Sequence, residues 1–453
     1  MRKIEVRLVQ DTPMWHFQGA SEDCCLRATE VKPKLDRFLI AKIECGAVPG
    51  ICPESIPDSW WANKDKNALN YKMRISVGGK EILQSIVPDL DKNGSPRLDN
   101  NGNHRMKNLY PIYFARVGVE SPSDMELVKF REISVELLTR YNDLLDRIEP
   151  HLAEFFASHS FGSRQDKGFG CFRMVGSNVP VSKLSGASYY FVVPPSRDQT
   201  RKYEDLFQHI NYFHKVIRSG VNERGCYVKS LMYHYAAEKS DDWDKPVIRS
   251  AFNFTNPLYR YICGETDVDH LPAWANRKVT DRDGNIKCPA RPNLQESEYD
   301  RHNELSDKKN LYRDALGLAA SQDWVFYGNK VKTVLHNDAD ADVRFKSPVD
   351  YRPVPASNGG FVVYIILHEL PDELRRASFD ISSDRAHTSL IGMKISDSMR
   401  IFDYFDFIYE HCWLVEQDEV DDSNIVGIQK GKENGEPYRF VKQVFRTLTR
   451  VNR

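Results

Sequence analysis

The chain has no C-x-x-C pair among its nine cysteines and a net charge of only −1. It also has no uninterrupted apolar run approaching ~18 residues. Each absence excludes a class of protein. Cys24 and Cys25 are adjacent, and the Cys45/Cys52 pair has no matching Cys or His pair downstream. A zinc ribbon and a disulfide framework are both excluded, and free thiols of a reducing compartment are expected. Without a long apolar run there is no membrane-spanning helix, and the opening MRKIEVRLVQ alternates instead of forming a signal peptide. A cytoplasmic location is therefore expected. With 63 Lys+Arg against 64 Asp+Glu, the surface as a whole is not a polycation. Any contact with nucleic acid must be local or shared with partner subunits. No G-x-x-x-x-G-K-[ST] phosphate loop and no repeat of fixed period occur. The acidic runs Asp338 to Asp342 and Asp418 to Asp422 lack the glycine and terminal glutamate of a calcium loop and read as solvated surface. No metal and no cofactor are expected.

What remains is an ordinary folded composition, 41% hydrophobic and 28% charged over 453 residues, enough for two or three domains. Lys3 to Val9 alternates as a half-buried strand that Thr12-Pro13 stops. Leu26 to Leu39 reads as a helix with Thr29 as its cap and Lys32 and Pro33 in its first turn. From 45 to 108 prolines and turn residues dominate, the pattern of an insertion with a hairpin tip and short strands at Ile75, Val77 and Ile82. Leu137, Leu138, Tyr141, Leu144, Leu145, Ile148, Leu152, Phe155 and Phe156 recur at helical spacing, so Ser121 to Ser158 is expected to be helical with a break at Pro150. Tyr189 to Val193 and Phe361 to Leu367 are strand candidates, Asp283-Gly284 signals a hairpin, and Ser398 to Leu414 is expected as a closing helix.

Between the expected helix and a short strand lies SHSFGSRQDKGFGCFRM, Ser158 to Met174. Gly162, Gly168 and Gly170 permit positive φ and close backbone approach. Loop amides can cradle an anion, Arg164, Lys167 and Arg173 can pair with phosphates, and Phe161, Phe169 and Phe172 offer faces for bases. The plain alternative is a glycine turn with aromatic core residues.

Helix, glycine loop, then strand with Lys167-Gly168-Phe169-Gly170 resembles the G-F-G-like element of RAMP proteins. DTPMWHFQGA (Asp11 to Ala20) followed by LRATEVKPKLDRFL is similar to the "T-P-hydrophobic … Gly … L-R-x-T-x-K-x-x-L-R" opening of type III RAMPs. Arg344-Phe345-Lys346-Ser347-Pro348 is similar to an R-x-x-S-P lead into a strand in the same proteins. The combination is nearest to the tandem-RAMP first subunit of the Cmr-type CRISPR effector complex. This resemblance implies an α+β protein of tandem ferredoxin-like domains with insertions: a first domain over 1–195, interrupted at 45–108, and a divergent second over 196–453 with helical additions. It further implies a non-catalytic, RNA-binding subunit in antiviral defence, with guide or target RNA and other RAMP subunits as partners and no membrane. The expected RNA-binding residues are Arg27, Lys32, Arg37, Gly162, Arg164, Lys167, Gly168, Phe169, Gly170 and Arg173. The competing reading is a metal-independent endoribonuclease that processes CRISPR precursor RNA, with His16 as base.

Other candidates have plainer explanations. His151 and His159 sit at the end of a helix, where its dipole favours positive charge. Tyr212, His214, Tyr233 and His234 read as core, and the carboxylates of Asp11 and Asp23 as solvated loop residues.

Overall fold

The alternation from Arg2 to Gln10 makes a strand that buries Ile4, Val6 and Leu8 and turns Lys3, Glu5 and Arg7 outward. A computed structural model describes residues 2–16, 26–44, 56–91, 94–99, 101–111, 126–177, 184, 186–223, 226–228, 230–241, 244, 247–248, 279–280, 286–287, 310–317, 322–326, 329–336, 345–383, 390–411 and 436–451. In it the first strand is flanked by Glu126–Thr139 and by Phe172–Met174, both antiparallel. Lys72–Leu83 pairs with the far side of Glu126–Thr139, and Met14–His16 adds to that strand's leading end. In chain order the four main strands stand fourth, first, third, second across the sheet. The connections carry helix Ala28–Glu44 and the pair Asn142–Ile148 and Leu152–Ser158. These bury Val31, Leu35, Leu144, Leu152 and Phe155 against Ile4, Val6, Ile133, Val135 and Leu137.

Three expectations change here. The helix expected over Ser121 to Ser158 is a 14-residue strand followed by two short helices, which a 3₁₀ turn at Glu149–His151 divides where Pro150 falls. Ile133, Val135 and Leu137 alternate into the core, and pairing on both edges overrides the leucine-rich helical propensity of this segment. Ser121 and Pro122 lie outside the described residues. Helix Ala28–Glu44 starts before Thr29, so Thr29 is not its cap and Pro33 lies inside it. The insertion is more ordered than its turn content suggests: Ile75, Val77 and Ile82 belong to one 12-residue strand, and Ile86–Pro88 pairs with Met106–Asn108 beyond it.

The second half repeats the arrangement. Strand Ala187–Val193 leads to helix Lys202–Arg218, then come Val349–Pro355 and Phe361–Leu367, and helix Glu436–Thr447 precedes Thr449–Arg450. Across this four-stranded antiparallel sheet the strands stand second, third, first, fourth, the same order as in the first sheet read from the other edge. The apolar run of Phe361–Leu367 is buried along its whole length. Between these strands sit added elements, including a five-stranded sheet of Asn310–Leu311, Leu390–Ile395, Phe379–Ser383, Asn329–Leu335 and Gln322–Phe326. Val279–Thr280 pairs antiparallel with Ile286–Lys287, while Asp283 and Gly284, where a hairpin was expected, lie outside the described residues. The expected closing helix is present as Ile401–His411, but Glu436–Thr447 follows it.

The protein is thus mixed α+β. One core draws on residues from Ile4 to Phe172, and another mainly on residues from Tyr189 to Leu448. Among the described residues no helix is long and apolar enough to cross a membrane.

Candidate nucleic-acid interface

The glycine loop is where the two cores meet. Gly162, Gly168 and Gly170 have φ of 81°, 86° and 65°, as a loop needing left-handed turns requires. A Cβ on Gly170 would overlap the Phe161 carbonyl oxygen, and one on Gly162 would stand 2.8 Å from the Trp15 carbonyl oxygen. The close approach these glycines permit is therefore to the protein's own backbone. The loop's amides are likewise spent inward. Phe161 N donates to Gly170 O (2.9 Å), Ser163 N to Trp15 O (3.0 Å), Lys167 N to Arg164 O (2.9 Å) and Gly170 N to Pro13 O (2.9 Å). Thr12 Oγ1 donates to Gly168 O (2.8 Å) and accepts from Cys171 N (3.0 Å). The Thr-Pro opening and the glycine loop, more than 150 residues apart in sequence, form one knot.

The aromatic faces expected for bases are core. Phe161, Phe169 and Phe172 are each 0% exposed, and Phe169 stacks on Phe207 of helix Lys202–Arg218 with centroids 3.7 Å apart. Arg164 and Lys167 are buried as well. Arg164 lies 4.8 Å over the Trp15 ring and donates to Pro111 O at 3.1 Å, while Lys167 pairs with Asp166 at 3.0 Å. Arg173 is held by Asp11 at 2.7 Å. Asp11 is therefore not a solvated loop carboxylate: it is 2% exposed, and burial pushes its carboxyl up despite the guanidinium beside it. Asp23 lies outside the described residues.

Helix Ala28–Glu44 sorts its cations by face. At about 100° per residue, Arg27, Lys34 and Arg37 share one side and Lys32 lies on the other. Lys32 accordingly turns away from the glycine loop, bonding Asp36 (2.6 Å) and Leu69 O (3.0 Å) over the Tyr71 ring. A single clamp including Lys32 does not form. Lys34, which sequence reasoning passed over, ties the helix to the loop. Its Nζ donates to Ser160 O (3.0 Å), Gln165 Oε1 (2.5 Å) and Glu30 Oε1 (3.2 Å), and Glu30 Oε1 also takes the Gly162 amide (2.8 Å). The i,i+4 spacing of Glu30 and Lys34 was the available signal.

Burial pulls the Lys34 ammonium down from its ordinary value, and the charges of Lys346 and Arg37 pull it further. Arg37 is exposed on the helix. Lys346 arrives from the other half of the chain, on the lead into Val349–Pro355, with its side chain 57% exposed and paired to Asp350 at 2.7 Å. His368 bonds the same Asp350 oxygen at 3.0 Å. A basic seam thus gathers Arg37 and Lys34 from the first half and Lys346 from the second, with Asp350 between Lys346 and His368. The R-x-x-S-P lead does run into a strand, although Arg344 lies outside the described residues.

Beneath the seam is Arg352, 1% exposed. Its guanidinium donates to Phe156 O (2.6 Å), Ala157 O (2.5 Å), Ser160 Oγ (3.1 Å) and the Phe172 carbonyl. One side chain of the second sheet so caps the last carbonyls of helix Leu152–Ser158 in the first half. His159 at that helix end is not cationic, because burial pushes it down to about 4. Desolvation there outweighs the helix dipole that favoured charge. His214 is core as expected, its Nδ1 3.2 Å from Tyr351 Oη. His16 lies on Met14–His16, its backbone paired with Glu126.

Two sheets of one strand order, locked by a buried arginine beneath a basic seam, define a two-domain α+β subunit. Residues 1–221 match the family model of the Cmr1 N-terminal domain, and residues 227–424 that of the Cmr1 C-terminal domain. The chain belongs to the Cmr1 family, RAMP subunits of type III CRISPR effector complexes that assemble with other Cmr proteins and RNA. No curated protein sequence matches it.

Proposed function

We propose that this chain is a non-catalytic subunit that holds the sugar-phosphate backbone of guide or target RNA on the seam between two ferredoxin-like domains. The strand order of both sheets, with a helix in each crossover, supports the tandem ferredoxin-like reading. The division expected at 195/196 falls just after Ala187–Val193, the first strand of the second sheet, while the family model of the N-terminal domain extends to residue 221.

The observation that carries the RNA reading is the convergence of exposed Arg37 and Lys346, from different domains, on half-buried Lys34. Exposed cations from both domains within electrostatic reach of Lys34 suit a phosphate backbone, and Arg27 lies on the same helix face. Sequence recognition is left to base pairing, as in other RNA-guided systems. In this reading Gly162, Arg164, Lys167, Gly168, Phe169, Gly170 and Arg173 set the angle between the domains, and so the spacing of the seam, without touching RNA. Crosslinking of the assembled complex followed by peptide mapping tests it. Crosslinks are expected on peptides holding Arg27 to Arg37 and Phe345 to Asp350; crosslinks confined to other surfaces overturn it. The endoribonuclease reading requires metal-free cleavage of repeat RNA that His16→Ala abolishes.

A further inference from the structure

His368 stands just past the end of strand Phe361–Leu367, where its backbone N donates to Pro348 O at 2.8 Å. Asp350 lies opposite Ile366 in the ladder, so alternation puts Asp350, Ile366 and His368 on one face of the second sheet. Arg352 and Tyr364, the next pair on that face, continue it inward. The face is turned toward the first domain: Tyr364 and Ile366 pack with Ala157, and Arg352 donates to the end of helix Leu152–Ser158. Tyr364 and Ile366 are buried, whereas the His368 side chain is 49% exposed. The imidazole therefore reaches solvent where the two domains meet, next to Lys346.

Asp350 decides what that imidazole offers. Its Oδ2 accepts from Lys346 Nζ at 2.7 Å and from His368 Nε2 at 3.0 Å. Burial pushes the carboxyl up, but the bond from His368 and the charge of Lys346 outweigh it and hold the group below its ordinary value. An ionised carboxylate only accepts, which assigns the hydrogen to Nε2 and leaves Nδ1 of the neutral ring as a lone-pair acceptor. Among the described residues nothing bonds Nδ1. The other carboxylate oxygen, Oδ1, is enclosed without a partner and presents nothing to solvent. The acceptor turned outward is thus the histidine's.

An acceptor beside cations has no use for phosphates, whose oxygens also accept. On a sugar-phosphate backbone the one donor is the ribose 2′-OH, which neighbours the 3′-phosphate of its own nucleotide. We propose that His368 Nδ1 accepts the hydrogen of a ribose 2′-OH whose phosphate lies on Lys346, with Asp350 as the positioning residue. This rests on the seam reading above and deepens it. Cations hold any polyanion, whereas this contact selects RNA over DNA at one nucleotide.

The test titrates reconstituted complexes with guide and target strands that carry one 2′-fluoro nucleotide at each position in turn. Fluorine removes the donor and leaves the strand's charge unchanged. With the parent chain, one position of one strand should bind about fivefold more weakly than its 2′-OH form, the worth of one hydrogen bond. The strand that shows it identifies guide or target. In His368→Phe the penalty should vanish, while the thermal midpoint and the slope of log affinity against log salt stay as in the parent. Asp350→Asn can donate to the ring and reverse its tautomer, so it should also abolish the penalty with His368 in place. A parent chain with no sensitive position overturns the proposal, and so does a penalty that survives either substitution. Arg37→Ala/Lys346→Ala reads the seam independently. A flattened salt slope without a 2′-OH-sensitive position sinks this contact alone, and an unchanged slope sinks both.

Discussion

At the residue scale, the same side-chain types serve two ends, and burial decides between them. Phe169 was legible as part of a glycine-aromatic loop, but an aromatic type alone does not tell a stacking face from a core residue; its partner, Phe207, lies on a helix of the other domain. The positive φ of Gly162, Gly168 and Gly170 was legible, because few other residues adopt it. Lys34 was missed and Lys32 chosen because a motif match orders residues along the chain, whereas a helix orders them by face. Buried histidines give a prediction at this scale. Burial pushes His159 and His209 each down to about 4, so both are neutral in the fold. Unfolded they regain an ordinary value near 6.5 and bind protons that the fold excludes. The stability they contribute is present in full above pH ~6.5 and is lost as pH falls toward 4, by about 3 kcal/mol each. Burial also pushes Asp244 up to about 6, and its effect runs the other way, with stability lost as pH rises through that value. Comparing urea midpoints of the unsubstituted chain and His209→Asn between pH 7 and 4.5 separates the two. The gap between them should narrow as pH falls, and a gap that stays constant with pH contradicts the account.

At the scale of elements, strands with strong alternation were readable and the segment from 126 to 139 was not. Leu137 and Leu138 fit a helical stripe that truly begins at Tyr141, and only pairing with Arg2–Gln10 and Lys72–Leu83 reveals the strand. Short-range pattern cannot report partners that lie more than 40 residues away along the chain. Arg352 shows the same limit: within Val349–Pro355 nothing marks it as the cap of a helix almost 200 residues earlier. Arg352→Met would leave the carbonyls of Phe156, Ala157 and Phe172 without this donor in a buried place, so a loss of about 3 kcal/mol or more is expected. A denaturation curve of the variant reads it. A midpoint within error of the parent would mean that the guanidinium is not what joins these elements.

For the whole molecule, the first domain was legible because its motifs lie close to its strands. The second was obscured by the long insertions between its strands, and helix Glu436–Thr447 reaches Thr449 through Leu448 alone, with no glycine loop to announce the turn. The charge balance of −1 argued for a local contact, and the seam proposed above is local. The most direct test of that claim is the salt dependence of RNA binding by complexes carrying Arg37→Ala/Lys346→Ala. Each phosphate contact removed should flatten the plot of log affinity against log salt by about 0.7–0.9. The account predicts weaker binding at low salt and a slope reduced by about 1.5, with the effect indifferent to RNA sequence. An unchanged slope and affinity would contradict it and place the RNA elsewhere on the complex.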